Sequence, residues 1–165
     1  MHFAPMAQRL HTERLVLSPE HQGDAGWFTE LLNERGTGTF TLDDAHQRIA
    51  AMNDLTARLG IGVLVLRRRS DGEALGYSGI VVGRGSVAEP ELAYELLPHA
   101  HGRGYATEAS RAVLEAGFAT GRERIWATMR RWNTPSFRVV EKLGFRRDHT
   151  TTDNGGELVW LVRER

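Results

Sequence analysis

The run Glu91–Ala109, ELAYELLPHAHGRGYATEA, places two kinds of chemistry side by side. Gly102 and Gly104 stand where a short, half-apolar segment ended by Pro98 passes into a helix opening at Tyr105. Glycine at such a turn reaches backbone conformations that other residues avoid and lets a ligand approach the main chain. The helix beyond it begins with unpaired N–H groups and the positive end of its dipole. Gly102, Arg103, Gly104, Tyr105, Ala106 and Thr107 therefore read as a backbone cradle for a phosphate or pyrophosphate. A plain tight turn would use the same glycines. Two other cradles do not fit: a dinucleotide fingerprint asks for a third Gly where Thr107 stands, and a P-loop asks for a Lys-Ser/Thr pair that is absent. In the preceding segment, alternation puts Glu91, Ala93 and Glu95 on one face and Leu92, Tyr94 and Leu96 on the other. A carboxylate facing a sheet interior is costly unless it is paired or used. Glu91 and Glu95 are thus candidate bases, with solvent-side ion pairs as the alternative.

A second run, NTPSFRVVEKLGF (Asn133–Phe145), changes the weight of the first. Together the two resemble the GNAT superfamily of acetyl-CoA-dependent N-acyltransferases. That family's pyrophosphate motif, Gln/Arg-x-x-Gly-x-Gly/Ala, is matched at Gly104 and Ala106, whereas its first position is His101. The longer forms GRGYATEA and NTPSFRVVEKLGF, with LHTERLVL (Leu10–Leu17) and LGYSGI (Leu75–Ile80), are similar to the branch containing the ribosomal-protein N-terminal acetyltransferases. The likeness covers nearly the whole chain, in order.

The resemblance implies an α/β GNAT fold in one domain, residues 1–165. Its mixed central sheet would have about seven strands, antiparallel in the first half and parallel at a centre splayed around the CoA site, with about four flanking helices. It implies acetyl-CoA as acyl donor, direct transfer to a primary amine in a ternary complex, and no metal. The backbone of Leu96 and Leu97 would pair with the pantetheine arm, Asn133 would contact it, and Arg103 and His101 would add to the phosphate site. Asn133 also suits a helix cap before Pro135. Many members carry a Tyr seven residues after this Asn as the thiolate acid; here that position is Val140. Ser136, three residues after the Asn, matches the serine proposed instead in the ribosomal-protein branch, although it equally suits a helix start. Glu91 falls where related enzymes carry an acidic residue and is expected to be the base, directly or through water, with Glu95 next. An α-amine (pKa about 8) needs less help from a base than a lysine amine (about 10.4), so a weak base constellation fits an α-amine better. The expected acceptor is a peptide or protein α-amine or a small-molecule amine. A module that holds acyl-CoA without turnover is the alternative, since Val140 replaces the usual Tyr. Homodimers are common in the family.

The elements that must position these residues follow from periodicity and turn chemistry. Arg14–Ser18 alternates as a strand ended by Pro19. Asp24 suits the cap of a helix with Trp27, Phe28, Leu31 and Leu32 on one side, and Thr41-x-x-Asp44 a capping box for a second. Gly62–Leu66 reads as a strand buried on both faces, and Ala74–Val82 as one with a bulge or close approach at its glycines. Glu91–Leu97, the helix Tyr105–Thr120 and Arg124–Met129 form a βαβ unit, so the two strands should run parallel. A short helix, Pro135–Leu143, and a hairpin about Asp153–Gly156 close the chain.

Bulk properties narrow the partners. The chain has 165 residues, with 21 Lys plus Arg against 21 Asp plus Glu, so no overall field recruits nucleic acid or membrane. There is no cysteine, which excludes disulfides, thiolate metal sites and a Cys nucleophile. His99 and His101 lack a third ligand at useful spacing. The start, MHFAPMAQRL, is no secretion signal and the apolar run Ile61–Leu66 is too short to span a bilayer, so a soluble cytoplasmic location is expected. Arg130, Arg131 and Trp132 read as an exposed rim beside Asn133.

Overall fold

The computed structural model describes residues 2–165. Eight strands form one sheet: β1 (Leu10–His11), β2 (Leu15–Pro19), β3 (Val63–Arg68), β4 (Ala74–Val81), β5 (Glu91–Leu96), β6 (Arg124–Arg130), β7 (Arg146–Asp153) and β8 (Gly156–Glu164), in the order β1-β2-β3-β4-β5-β6-β8-β7. The helices are α1 (Ala25–Glu34), α2 (Leu42–Leu59), α3 (Tyr105–Ala119) and α4 (Thr134–Lys142). The expected architecture is present, with one strand more than the seven read from sequence. The extra one is β1, two residues long and thus too short for a periodicity signal.

Every adjacent pair is antiparallel except β5 and β6. Those two meet in a single register pair, Glu91 with Trp126, supported by Trp126 N–H donating to the Pro90 carbonyl at 2.8 Å. Beyond that vertex they diverge, so the middle of the sheet opens as a wedge towards the end of β5. The crossover through α3 holds the strands in this relation. Ala109, Val113, Leu114, Ala116 and Phe118 of α3 are buried against Leu92, Ile125, Ala127 and Met129, which makes a continuous core on that face. Phe137 and Val140 of α4 join the same core, and their burial fixes α4 beside the wedge.

The opposite face is covered only beside β2–β4, where Phe28, Leu31 and Leu32 of α1 pack with Ala45 and Ile49 of α2, around Leu97. Leu64, Val65 and Leu66 of β3 are fully buried, so this strand is covered on both faces as expected. The capping box at Thr41 and Asp44 forms. Asp24 departs from its expected role. It makes no side-chain cap for α1, because its carboxylate accepts from both terminal nitrogens of Arg67 at 2.9 Å, from Trp27 Nε1 at 2.8 Å and, closing a capping box on the preceding 3-10 turn Gln22–Asp24, from His21 N–H at 2.9 Å. A buried Asp within reach of an Arg favours the ion pair over a helix cap. Among the described residues no helix is long and apolar enough to cross a membrane.

Candidate active site

The cradle forms where β5 ends. After one 3-10 turn at Pro98–Ala100, Gly102 (φ +74°) and Gly104 (φ +80°) both take left-handed backbone conformations, and Gly104 is the N-cap of α3. Neither is crowded, so the conformation rather than space requires glycine here. The N-cap has no side chain to offer, and among the described residues nothing accepts from the N–H groups of Gly102 to Thr107. These donors stand together at the positive end of a 15-residue helix. The cradle is held from outside. Arg14 Nη1 donates to the Arg103 carbonyl at 2.9 Å, Arg14 Nε to Glu108 Oε1 at 2.7 Å, and the same guanidinium lies 4.3 Å from the Tyr105 ring centre. Burial pushes the Glu108 carboxyl up, but hydrogen bonds from Thr12 and from Arg14 outweigh it and hold the group below the usual carboxylate range. Tyr105 buries its side chain in the core, so only its backbone serves the cradle.

The β5 backbone facing the wedge differs in part from the expectation. Leu97 N–H donates to the Leu75 carbonyl and the Leu97 carbonyl accepts from Ala100 N–H, both at 2.9 Å, so the Leu97 N–H is not open to a ligand. Alternation then turns the backbone groups of Tyr94 and Leu96 towards β6. The Leu96 carbonyl accepts from the His101 ring Nε2 at 2.9 Å, which keeps its N–H as the group open to a ligand. His101 thus braces β5, and that ring nitrogen is turned away from the phosphate cradle. His99 meets Glu73 at 3.0 Å instead.

The two candidate bases are separated by their partners. Glu91 is 6% exposed at the vertex of the wedge; its carboxylate accepts from the Thr128 hydroxyl and from Arg84 N–H. Residue 83, with φ +54°, is glycine, and a Cβ there would lie 2.1 Å from Glu91 Oε2 and displace the carboxylate from this position. Glu95 is committed elsewhere. It accepts from Arg35 Nε at 2.9 and 3.0 Å, forms an ion pair with the Arg35 terminal nitrogen, and accepts from the Tyr77 hydroxyl at 2.8 Å. Burial first, and then the Glu95 charge, push the Tyr77 phenol well above its ordinary value. Glu95 therefore follows the ion-pair alternative, and its partners tie α1 to the sheet.

Across the wedge, Asn133 is the N-cap of α4 but makes no side-chain cap bond, so its carboxamide is not occupied by that role. Ser136, half-buried, makes no hydrogen bond through its hydroxyl; its carbonyl accepts from the Tyr94 hydroxyl at 3.1 Å. Burial pushes the Tyr94 phenol up to about 12, against the opposing effect of that bond. Val140, where a Tyr was looked for, lies fully buried in the core. Tyr94 was missed by sequence reasoning. Its strand alternation placed it on the face opposite Glu91, but nothing in the sequence indicated that its hydroxyl would reach α4. In the rim, Arg130 pairs with Asp153 at 2.8 Å and Arg131 with Glu157, while Trp132 is 77% exposed. Among the described residues there is no cluster of three or more metal-ligating side chains.

A splayed parallel pair, a glycine turn and a helix start bearing free donors define an acyl-CoA-type transferase fold, and comparison with known proteins agrees. The model of the GNAT acetyltransferase domain matches residues 14–146, and the chain belongs to that family. A stretch of 59 residues is 42% identical to the uncharacterized N-acetyltransferase YnaD of Bacillus subtilis, spanning 35% of each chain. A GNAT-family acetyltransferase from Bordetella pertussis is 30% identical, with a TM-score of 0.83 over 95% of this chain and 99% of that one. Mycobacterium smegmatis RimJ in complex with CoA-disulfide shares the fold at 22% identity, with a TM-score of 0.81 over 99% of this chain and 90% of its own.

Proposed function

We propose that this chain is an acetyl-CoA-dependent N-acetyltransferase acting on a primary amine by direct transfer in a ternary complex. The observation that carries the reading is the set of partnerless N–H groups at Gly102–Thr107, placed at the mouth of a wedge with a buried carboxylate at its vertex. Acetyl-CoA fits that set: its pyrophosphate matches backbone donors at a helix N-terminus, and its pantetheine amides match the N–H of Leu96 and the carboxamide of Asn133. Bound there, it supplies an acyl group activated as a thioester. Glu91 accepts the amine proton, directly or through a water, while Thr128 and Arg84 N–H keep its carboxylate fixed in place. The Tyr94 hydroxyl, which reaches α4 across the wedge, and the Ser136 hydroxyl would stabilise a departing thiolate.

The acceptor is an α-amine of a peptide or protein, or a small-molecule amine. An α-amine needs less help from a base than a lysine amine does, which supports the α-amine as acceptor. Thiol release from acetyl-CoA, measured with N-terminal peptides, polyamines and amino acids, tests the reading. Acceptor-dependent release supports it and identifies the amine. A protein that CoA protects thermally but that releases no thiol with any acceptor would support the non-catalytic acyl-CoA module, which draws on the burial of Val140. Loss of both would overturn the cradle.

A further inference from the structure

Beside the cradle lies a surface cavity of about 540 Å³ that the proposed transfer reaction leaves unassigned. Gly104, Thr107 and Arg111 line it along one stripe of α3, with Lys142 from the end of α4 and His11 and Arg14 from the first hairpin. Arg111 and Lys142 are exposed and take part in no ion pair among the described residues. Lys142 is also the one lysine in the chain. The cavity has acidic groups too. Glu108 is ion-paired with Arg14 and accepts from the Thr12 hydroxyl, and Glu115 lies a full turn beyond Arg111, away from the cradle.

We propose that Arg111 and Lys142 bind the ribose 3′-phosphate of CoA, and so make the protein select CoA over 3′-dephospho-CoA. The inference rests on the reading that the cradle takes the CoA pyrophosphate. Gly104 to Arg111 is two turns of helix, about 10 Å of axial rise. Side chains on a helix lean towards its N-terminus, so the long Arg111 side chain reaches back along the stripe towards the cradle. A phosphate one ribose away from the pyrophosphate falls in that interval. It carries a charge of about −1.5 to −2 near pH 7 and takes charge-assisted hydrogen bonds from arginine and lysine. Two unpaired cations facing a cavity that adjoins an anion cradle suit such a ligand.

Titration of the intact protein with CoA and with 3′-dephospho-CoA, followed by calorimetry, tests this. Wild-type protein is expected to prefer CoA by ~10-fold or more, consistent with one or two charge-assisted contacts. Arg111→Ala with Lys142→Ala should bring that ratio to within about twofold of unity by weakening CoA while 3′-dephospho-CoA keeps its affinity. Arg111→Lys should retain part of the preference, and Arg58→Ala, on the far helix α2, should leave it unchanged. The proposal is overturned if wild-type binds both ligands equally tightly, or if the double variant keeps the full preference. Equal tight binding would leave the pyrophosphate cradle intact, whereas failure of both ligands to bind wild-type would remove the cradle reading and this inference together.

Discussion

The Tyr94 hydroxyl donates to the Ser136 carbonyl at 3.1 Å, and among the described residues this is the side-chain hydrogen bond that joins β5 to α4 across the wedge. Burial pushes its phenol up to about 12, so the hydroxyl keeps its proton near neutral pH as an ordinary phenol does. A neutral hydroxyl beside the wedge can turn from the carbonyl to a departing sulfur. In a chain that buries Val140, this is the ground for the role in turnover proposed for Tyr94.

Tyr94→Phe separates the two roles. The lost hydrogen bond costs about 1 kcal/mol, a shift of a few degrees in Tm. If the hydroxyl also stabilises the thiolate, kcat falls by ~10-fold or more while KM for acetyl-CoA changes little. A kcat within twofold of wild-type would leave Tyr94 as a strut only, and Ser136→Ala should then carry the larger loss.

The two glutamates should behave oppositely. Glu91→Gln is expected to lower kcat by on the order of 10²–10³ without abolishing thermal protection by CoA, since its carboxylate is placed as the base. Glu95→Gln should leave kcat within about threefold and lower Tm, because it breaks the bond set with Arg35 and Tyr77. Steady-state rates and melting curves of the two variants decide between them, and equal kcat losses would remove Glu91 from its assigned role.

Gly104→Ala tests the cradle. A left-handed conformation costs a non-glycine residue about 1–2 kcal/mol, and relaxing it turns the first N–H groups of α3 away from their common target. Gly72→Ala is the matched control, with φ +74° in the turn between β3 and β4 and open space around it. Both variants should lose similar stability, but only Gly104→Ala should lose protection by CoA in differential scanning fluorimetry.

Glu20 sets a dependence on pH. It is 4% exposed, one carboxylate oxygen has no partner, and burial, followed by the nearby Asp24 charge, raises its pKa from 4.5 to about 7. Arg67 opposes the shift. The folded protein therefore binds more protons than the unfolded chain between about pH 4.5 and 7, so this group's contribution to stability falls as pH rises through that window. At about 1.4 kcal/mol per unit, the effect is on the order of 2–3 kcal/mol. Glu20→Gln should flatten the Tm profile between pH 5 and 7. A profile as steep as wild-type would assign the dependence to another group.

Much of the site was legible in the sequence because it depends on backbone. Gly102, Gly104 and the helix start they precede are local features, and turn chemistry and capping rules read them directly. The parallel pairing of β5 and β6 followed from one strand–helix–strand unit. What could not be read was the distribution of side-chain partners over long sequence distances. Glu91 and Glu95 are equivalent by alternation, and only Thr128, 37 residues later, and Arg35, 60 residues earlier, tell them apart. The same holds for Asp24, which favoured Arg67 over a cap, and for Leu97, whose backbone went to Leu75.

The single register pair between Glu91 and Trp126 means that the sheet is two leaves sharing a spine. β1 to β5 form one leaf and β6 to β8 the other, and the continuous core beneath them is what keeps the leaves in register. A ligand laid along β5 in the wedge takes the place of missing rungs and stitches the leaves together. Amide protons on the facing edges of β5 and β6 should then be the fastest of the central strands to exchange in the free protein and the ones most slowed by CoA. Bound as proposed, the donor would also complete the protein's secondary structure.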